Sequence, residues 1–318
     1  MSTPSLFSRI LSCFERAVAA GHVIFTDSTC AVVENAGVNF QVRLAPSLAK
    51  KPTGGLTRKL AQSKPFDPFL PYDPNLYVDQ YEDHNLLLNK FSIVRGHVLL
   101  TTKGFASQYD PISESDFKAA LEFLRDPSLP RFLGFYNCGS KSGASVPHKH
   151  LQFLPIESDL PIEALVLRDA TQAPEDIYVS DAIPFAHAIA RLGVETTAHD
   201  MWTRYVAVVR RAFLSAGLDP TEVLTPGVVP SGQIVEGQIE PISYNLLFTR
   251  EWILAVPRSQ DNYEPGDGAV ENQVKINVNS VGFAGMMLAK SQSELETIVQ
   301  TGPINILEGV TYPKALAA

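Results

Sequence analysis

Apolar runs of strand length occur in adjacent pairs along this chain, and this pairing constrains the fold more than any other feature. Residues 86–88 precede residues 97–100 across a short turn, and residues 244–248 precede residues 252–256 across another. This spacing is typical of antiparallel hairpins. Helical patterns, such as the one at residues 113–124, are set apart from these pairs. We therefore predict an α+β fold with a largely antiparallel sheet flanked by helices.

Capping residues predict where several helices begin. Thr3, directly before a proline, is predicted to cap an N-terminal helix, and Ser113 is predicted to form a capping box with Asp116. Asp200 is predicted to cap a helix in the second half, and a late strand is predicted at residues 282–288.

The chain divides into two parts near residues 173–174, an Ala-Pro pair after which the sequence becomes acidic and loop-like. We predict one part over residues 1–175 and a second over residues 185–318.

The charge balance limits the partners. With 26 Lys and Arg against 34 Asp and Glu, the formal net charge of the 318 residues is −8, which argues against a long nucleic-acid footprint. Acidic residues are nevertheless absent from residues 50–62 and 128–156. An anionic ligand is therefore expected to meet a local group of cations.

Cysteine usage and hydropathy indicate the compartment. The three cysteines have no CxxC spacing, so neither a disulfide framework nor a cysteine zinc site is predicted. No run reaches the roughly 18 apolar residues of a membrane span, and no secretory leader is evident. We expect a soluble, cytoplasmic protein without a membrane partner.

The strongest local motif is residues 148–152, His-Lys-His-Leu-Gln. In a strand, alternation places His148, His150 and Gln152 on one face, about 6.6 Å apart. A histidine nucleophile is one interpretation of this row. The alternatives are a polar edge of a sheet without a catalytic role and a catalytic zinc site. Zinc would need further ligands, and the other five histidines form no second ligand-spaced pair, so no metal site is predicted.

The residues around this motif favour a phosphoryl electrophile for a histidine nucleophile. The preceding turn, residues 139–145, is rich in glycine and serine, and Arg131, Lys141 and Lys149 lie nearby in sequence. Backbone N–H groups and small hydroxyls suit a phosphate. Neither a GxSxG elbow nor a Walker P-loop is present.

Together these residues resemble a known family. The His-x-His-x-Gln run is similar to the histidine-triad signature in the transferase branch of the HIT superfamily. The similar blocks are residues 85–91, 97–100, 135–139, 244–248 and 279–286, and they resemble the ATP adenylyltransferases, also called diadenosine tetraphosphate phosphorylases. The resemblance implies a HIT/GalT-like fold, in which the first part carries the catalytic motif and the second completes the same nucleotide site.

The resemblance also implies a reaction, the reversible phosphorolysis of diadenosine tetraphosphate with phosphate to ATP and ADP. In it His150 is the nucleophile that carries AMP, His148 orients it, and Gln152 donates to a phosphate oxygen. The implied nucleotide and phosphate contacts are Lys51, Asn89, Lys90, Asn137, Ser142, Gly143, Ala144, Ser145, Gln152, Asn279, Gly282, Met286 and Lys290. A polar residue is expected before Pro147, where this chain has Val146.

The expected partners are small molecules: diadenosine tetraphosphate, ATP, ADP and phosphate. No tightly bound cofactor is expected, although a divalent cation such as Mg²⁺ can accompany the nucleotide, and the chain is expected to be a monomer. Two alternatives remain open. One is a hexose-1-phosphate uridylyltransferase, which shares the motif, and the other is a non-catalytic protein that binds or senses dinucleotides.

Overall fold

The computed structural model describes residues 4–50, 67–167, 176–220, 243–266 and 274–315. Its strands are β1 (Thr29–Asn35), β2 (Val38–Leu44), β3 (Tyr77–Tyr81), β4 (His84–Leu88), β5 (Val98–Thr102), β6 (Phe132–Cys138), β7 (His150–Pro155), β8 (Ile177–Tyr178), β9 (Ala188–Arg191), β10 (Ser243–Phe248), β11 (Trp252–Arg258), β12 (Asn262–Tyr263), β13 (Ile276–Asn277) and β14 (Met286–Ala289). Its α-helices are α1 (Leu6–Ala19), α2 (Glu114–Leu124), α3 (Glu163–Val166), α4 (Ala198–Ser215), α5 (Ser280–Phe283), α6 (Gln292–Thr301) and α7 (Pro303–Gly309).

A nine-stranded antiparallel sheet organises the fold. Its strand order is β3-β4-β5-β7-β6-β10-β11-β9-β8, so strands from both halves of the chain pair in one sheet. Both predicted hairpins are present, as β4 with β5 and β10 with β11. The α+β class and the antiparallel sheet are thus confirmed. Strand β7 lies between β5 and β6, which places the His-x-His-x-Gln motif inside the sheet.

The two faces of the sheet are covered by different layers. Buried residues of α1, α2 and α4 pack on one face, together with Leu151 and Phe153 of β7. The other face packs against α6, α7 and a small sheet of order β1-β2-β14, in which β14 runs parallel to β2. Because side chains alternate along a strand, His150 and Gln152 face this second layer.

Several predicted element ends differ from the structure. Ser5 caps α1, accepting from the N–H of Ser8 at 3.3 Å, whereas Thr3 lies outside the described residues. The Ser113 capping box is confirmed. Thr197, not Asp200, caps α4, because Asp200 is its partner three residues later in a capping box.

The strand predicted at residues 282–288 begins too early. Residues 280–283 form the short helix α5, because the Asn279 side chain accepts from the N–H of Val281 at 3.0 Å and so caps a helical turn. Gly285 follows with φ +89, a conformation that favours glycine, and only then does β14 begin. Among the helices that the structure describes, none is both long and apolar enough to cross a bilayer.

A buried ionic cluster ties the motif strand to α2. Lys149, which precedes β7, donates to the carboxylate of Asp116 at 2.5 Å and to the carbonyl of Pro111 at 2.7 Å. The second carboxylate oxygen of Asp116 lies 2.8 Å from Nε2 of His84. Burial opposes ionisation of Asp116, but the hydrogen bond to His84 and the charge of Lys149 outweigh it, so the pKa of Asp116 lies far below its ordinary value.

Lys149→Met should therefore destabilise the protein by about 3–5 kcal/mol at neutral pH, since it leaves a buried carboxylate without its cation. The pKa of Asp116 is depressed in the folded state, so its contribution is complete above the unfolded pKa of about 3.9. The difference between wild type and variant should shrink as the pH falls below about 4. Denaturant unfolding of both proteins at several pH values measures this, and a pH-independent difference would contradict it.

Candidate active site

His150 and Gln152 lie on the same face of β7, as expected. Thr101 of β5 pairs with His150, and Leu99 of β5 and Phe135 of β6 pair with Gln152. His148 lies just before the strand, in an isolated bridge with Ser107.

The ring of Phe69 makes edge contacts with both histidines, at 5.5 Å from the ring centroid of His148 and 5.4 Å from that of His150. The structure therefore brings His148 and His150 together beside one aromatic side chain.

The side chain of Gln108 separates β7 from β6 at the site. Regular pairing of these strands ends at Gln152 with Phe135. Beyond that point the Gln108 carboxamide, which is fully buried, accepts from the N–H of His150 at 2.9 Å and donates to the carbonyl of Asn137 at 2.8 Å. The carboxamide takes the place of the direct backbone hydrogen bonds between β6 and β7. The backbone of His150 is therefore held although the two strands are no longer paired there.

The ring of His150 has a defined orientation. Its Nδ1 lies 2.8 Å from the carbonyl oxygen of His148. A carbonyl only accepts, so Nδ1 carries the proton and the lone pair of the neutral ring lies on Nε2. This is the tautomer that a histidine nucleophile attacking through Nε2 requires.

The ring of His148 is held at both nitrogens. Its Nδ1 lies 2.8 Å from a carboxylate oxygen of Asp67, and its Nε2 lies 2.8 Å from the hydroxyl and 2.9 Å from the carbonyl of Thr102. The residue is fully buried. Because protein groups occupy both nitrogens, the arrangement suits an orienting group better than a nucleophile.

A chain of side chains orients the carboxamide of Gln152. The Asn89 oxygen accepts from the N–H of Phe91 at 3.0 Å, so its NH₂ group points to Nδ1 of His97 at 3.1 Å. With Nδ1 accepting, Nε2 of His97 donates to the oxygen of Gln152 at 3.2 Å. The NH₂ group of Gln152 is thereby left as the donating end.

A second buried network joins the two halves of the chain. The carboxamide oxygen of Asn137 accepts from Asn245 at 2.8 Å and from the N–H and hydroxyl of Ser280 at 2.9 and 2.7 Å. Asn245 also donates to the carbonyl of Ser142 at 2.9 Å and accepts from the guanidinium of Arg258. The oxygen of Asn137 is therefore engaged within the protein.

Arg258 itself is almost completely buried. Burial lowers the pKa of its guanidinium to about 9. The guanidinium donates to the carbonyls of Val310, Val278 and Gln260 at 3.1, 3.1 and 2.7 Å, so it connects β11 to the segment that leads into α5.

The glycine- and serine-rich turn packs directly on that segment. Gly143 has φ +79, and a Cβ there would lie 2.6 Å from the carbonyl oxygen of Val278 and 2.9 Å from Cβ of Asn279. Only glycine allows this approach. The hydroxyl of Ser142 donates to the carbonyl of Gly139 at 2.7 Å and is buried, so this hydroxyl stabilises the turn.

The remaining predicted contacts are dispersed. Ala144 is buried and Ser145 is exposed in the turn, and Lys90 is exposed beside Asn89. Gly282 lies in α5, Met286 begins β14, and Lys290 donates to the side chain of Asn277. Lys51 lies outside the described residues. Val146, where a polar residue was expected, packs against Phe69, Leu87 and Leu99.

Sequence reasoning missed Gln108, His97 and Arg258 as parts of the site. A signal existed for His97, which stands in one of the family-like blocks. Gln108 has no motif around it, since its position depends on the separation of two strands. Among the described residues, no three His, Cys, Asp or Glu side chains gather into a possible metal site.

Two family models match successive parts of this chain. A family model described as the Ap4A phosphorylase N-terminal domain matches residues 1–168, and one described as the ATP adenylyltransferase C-terminal domain matches residues 181–313. Diadenosine 5',5'''-P1,P4-tetraphosphate phosphorylase 2 of Saccharomyces cerevisiae is 30% identical over 94% of this chain and 92% of its own. Protein APA1 of the same yeast is 28% identical over the same shares.

Solved structures show the same similarity. Yeast Ap4A phosphorylase Apa2 superposes with a TM-score of 0.77 at 26% identity, over 99% of this chain and 100% of that one. Its complex with Ap4A superposes with a TM-score of 0.72 at 26% identity over the same shares. The chain belongs to the Ap4A phosphorylase family, with the ATP adenylyltransferase domain as its C-terminal part.

Proposed function

We propose that this nucleotidyltransferase catalyses the reversible phosphorolysis of diadenosine tetraphosphate, in which phosphate and the dinucleotide give ATP and ADP. Family membership over both halves and the reaction named for the yeast relatives support this. The single observation that carries the chemistry is the hydrogen bond from Nδ1 of His150 to the carbonyl of His148, because it presents Nε2 as the nucleophilic atom.

In the first step we propose that Nε2 of His150 attacks the α-phosphorus of one AMP moiety. A P–N bond forms and the P–O bond to the bridging oxygen breaks, and ATP leaves with that electron pair. The imidazolium of the adduct is stabilised because Nδ1–H still donates to the His148 carbonyl. ATP leaves through a phosphate oxygen that is stable as an anion, so this step needs no general acid to protonate the leaving oxygen.

In the second step an oxygen of inorganic phosphate attacks the same phosphorus. The P–N bond breaks, its electron pair returns to Nε2, and ADP is released. We propose that the NH₂ group of Gln152 and the turn N–H groups of residues 142–145 donate to the phosphoryl oxygens in both steps. Such fixed donors stabilise the charge that develops in the transition state.

The remaining nucleotide contacts are part of this proposal. Asn137 would act through its NH₂ group, because its oxygen is engaged within the protein. The others are Lys51, Asn89, Lys90, Asn279, Gly282, Met286 and Lys290. We further propose that the enzyme works as a cytoplasmic monomer without a tightly bound cofactor, and that a divalent cation such as Mg²⁺ enters with the nucleotide.

His150→Ala should abolish the covalent adduct and lower phosphorolysis by at least about a thousandfold, while nucleotide binding is largely kept. The measurement is incubation with diadenosine tetraphosphate labelled in adenine, followed by assay for an acid-labile, base-stable AMP adduct and for ATP and ADP.

His199→Ala is the matched control, since it removes an exposed imidazole that pairs with Glu114, and the adduct should form normally. An adduct that persists in His150→Ala would move the nucleophile to His148. If wild type forms neither adduct nor ATP and ADP, the proposed function is wrong.

His97→Phe should lower kcat/KM by about two- to tenfold, the equivalent of one hydrogen bond of about 0.5–1.5 kcal/mol, because the Gln152 carboxamide loses the donor that orients it. A double-mutant cycle tests this. In the Gln152→Ala background the same substitution should have almost no further effect on kcat/KM, whereas fully additive losses would show that His97 acts on something else.

A further inference from the structure

Arg258, at the end of β11, is a buried charge that takes part in no step of the proposed reaction. The residue is 1% exposed. Its guanidinium donates only to neutral oxygens, the carboxamide of Asn245 and the carbonyls of Val310, Val278 and Gln260. Among the described residues it forms no ion pair. Buried charges in proteins are normally paired, so the counterion of this one has to come from elsewhere.

Asp261 is the acidic residue whose charge acts on Arg258. Burial lowers the pKa of the guanidinium to about 9, although the charge of Asp261 opposes this. The carboxylate of Asp261 is partly exposed and accepts from the side chain of Asn262 at 2.7 Å. At neutral pH the guanidinium therefore carries its charge, and the protein compensates that charge incompletely.

Strand alternation places Arg258 on the face of the sheet that carries His150. Leu254 and Val256 precede Arg258 on β11 at intervals of two residues, and both pack in the second layer. His150 faces the same layer, because its neighbour Leu151 packs on the opposite face. The unpaired charge and the nucleophile therefore lie on one side of the sheet.

Two carboxamides span the distance between them. The guanidinium donates to the oxygen of Asn245, whose NH₂ group donates to the oxygen of Asn137 at 2.8 Å. The register of β6 with β7, extended by two residues from its last pair, sets Asn137 opposite His150. Two strand spacings of about 4.8 Å separate His150 from Asn245, so the guanidinium lies roughly 10 Å from a phosphorus at Nε2 of His150.

The glycine- and serine-rich turn lies equally close to the charge. The oxygen of Val278, which accepts from the guanidinium at 3.1 Å, is the atom against which Gly143 packs. The carbonyl of Ser142 accepts from Asn245, another partner of Arg258. Arg258 is therefore held directly behind the turn that is proposed to bind phosphate.

From this arrangement we infer that the phosphates of the bound nucleotide are the missing counterions of Arg258, which attracts them from behind Asn137 and the turn without touching them. The inference rests on the proposed function for the position of the nucleotide, and it adds a residue on which phosphate affinity depends. At an effective dielectric constant of about 20, one unit charge roughly 10 Å away changes a binding constant about tenfold. The effect grows with the negative charge of the ligand.

A series of ligands that differ only in their phosphates tests this. Adenosine, AMP and ATP share one nucleoside, and their binding to the full chain is measured by calorimetry. Arg258→Gln removes the charge and keeps a donor for Asn245. The variant should bind adenosine within about twofold of wild type, AMP about tenfold more weakly, and ATP more weakly still. A residue that only holds the fold would weaken the binding of all three ligands alike.

Two further variants are controls. Arg258→Lys keeps the charge and should keep the wild-type ratio of ATP affinity to adenosine affinity. Arg211→Gln changes the net charge by the same amount at an exposed position of α4, the helix on the opposite face of the sheet. It should leave the binding of all three ligands unchanged.

Because Arg258 is buried, thermal unfolding of each variant is measured alongside, and Asn245→Asp provides a second test. Its carboxylate would stand beside the guanidinium and supply a counterion within the protein. Binding of AMP and ATP should therefore weaken relative to adenosine in this variant as well, including the case in which Arg258→Gln does not fold.

Equal losses for adenosine, AMP and ATP in the folded variants would overturn the assignment, and so would an unchanged ratio of ATP to adenosine affinity. Failure of both Arg258→Gln and Asn245→Asp to fold would also overturn it, because the charge would then serve the fold itself. A wild type that binds the three ligands but makes no ATP and ADP would refute the proposed reaction, and the binding series would still decide the role of Arg258.

Discussion

The insertion of one buried carboxamide between two central strands is the constraint on which the site depends. Gln108 bonds to the N–H of His150 on one side and to the carbonyl of Asn137 on the other. A regular ladder would bring β6 and β7 together at this point. With the ladder interrupted, the Gln108 carboxamide satisfies the polar groups of both strands that the ladder would otherwise pair. The same residue thus holds the backbone of His150 and separates β6 from β7 at this point.

The side chains of residues 149–152 lie on opposite faces of the sheet and make different kinds of contact. Lys149 lies on the face that packs against α2, where it forms an ion pair with Asp116 of that helix. His150 and Gln152 are on the other face, each held by a neutral hydrogen-bond partner. Neutral partners define the orientation of both side chains without the strong attraction of an ion pair. The buried ion pair of Lys149 and Asp116 therefore lies on the opposite face of the strand from His150 and Gln152.

The fold and the motif could be predicted from residues that are near one another in sequence. Both hairpins, the capping box of Ser113 and the common face of His150 and Gln152 follow from alternation and capping. Capping was misjudged where two candidates stand close together, as with Thr197 and Asp200. The strand predicted from residue 282 was placed too early, because the apolar residues after Asn279 suit a capped helical turn as well as a strand.

The sequence by itself determined the antiparallel sheet, the row of motif side chains and the family to which they belong, since these depend on spacings of a few residues. Only the tertiary structure decided which distant groups complete the site. His97 reaches Gln152 across 55 positions, Asn245 reaches Asn137 across 108, and Phe69 lies against both histidines. Each of these contacts requires a particular sheet register and a particular packing of the second half on the first, and neither is encoded in any local pattern.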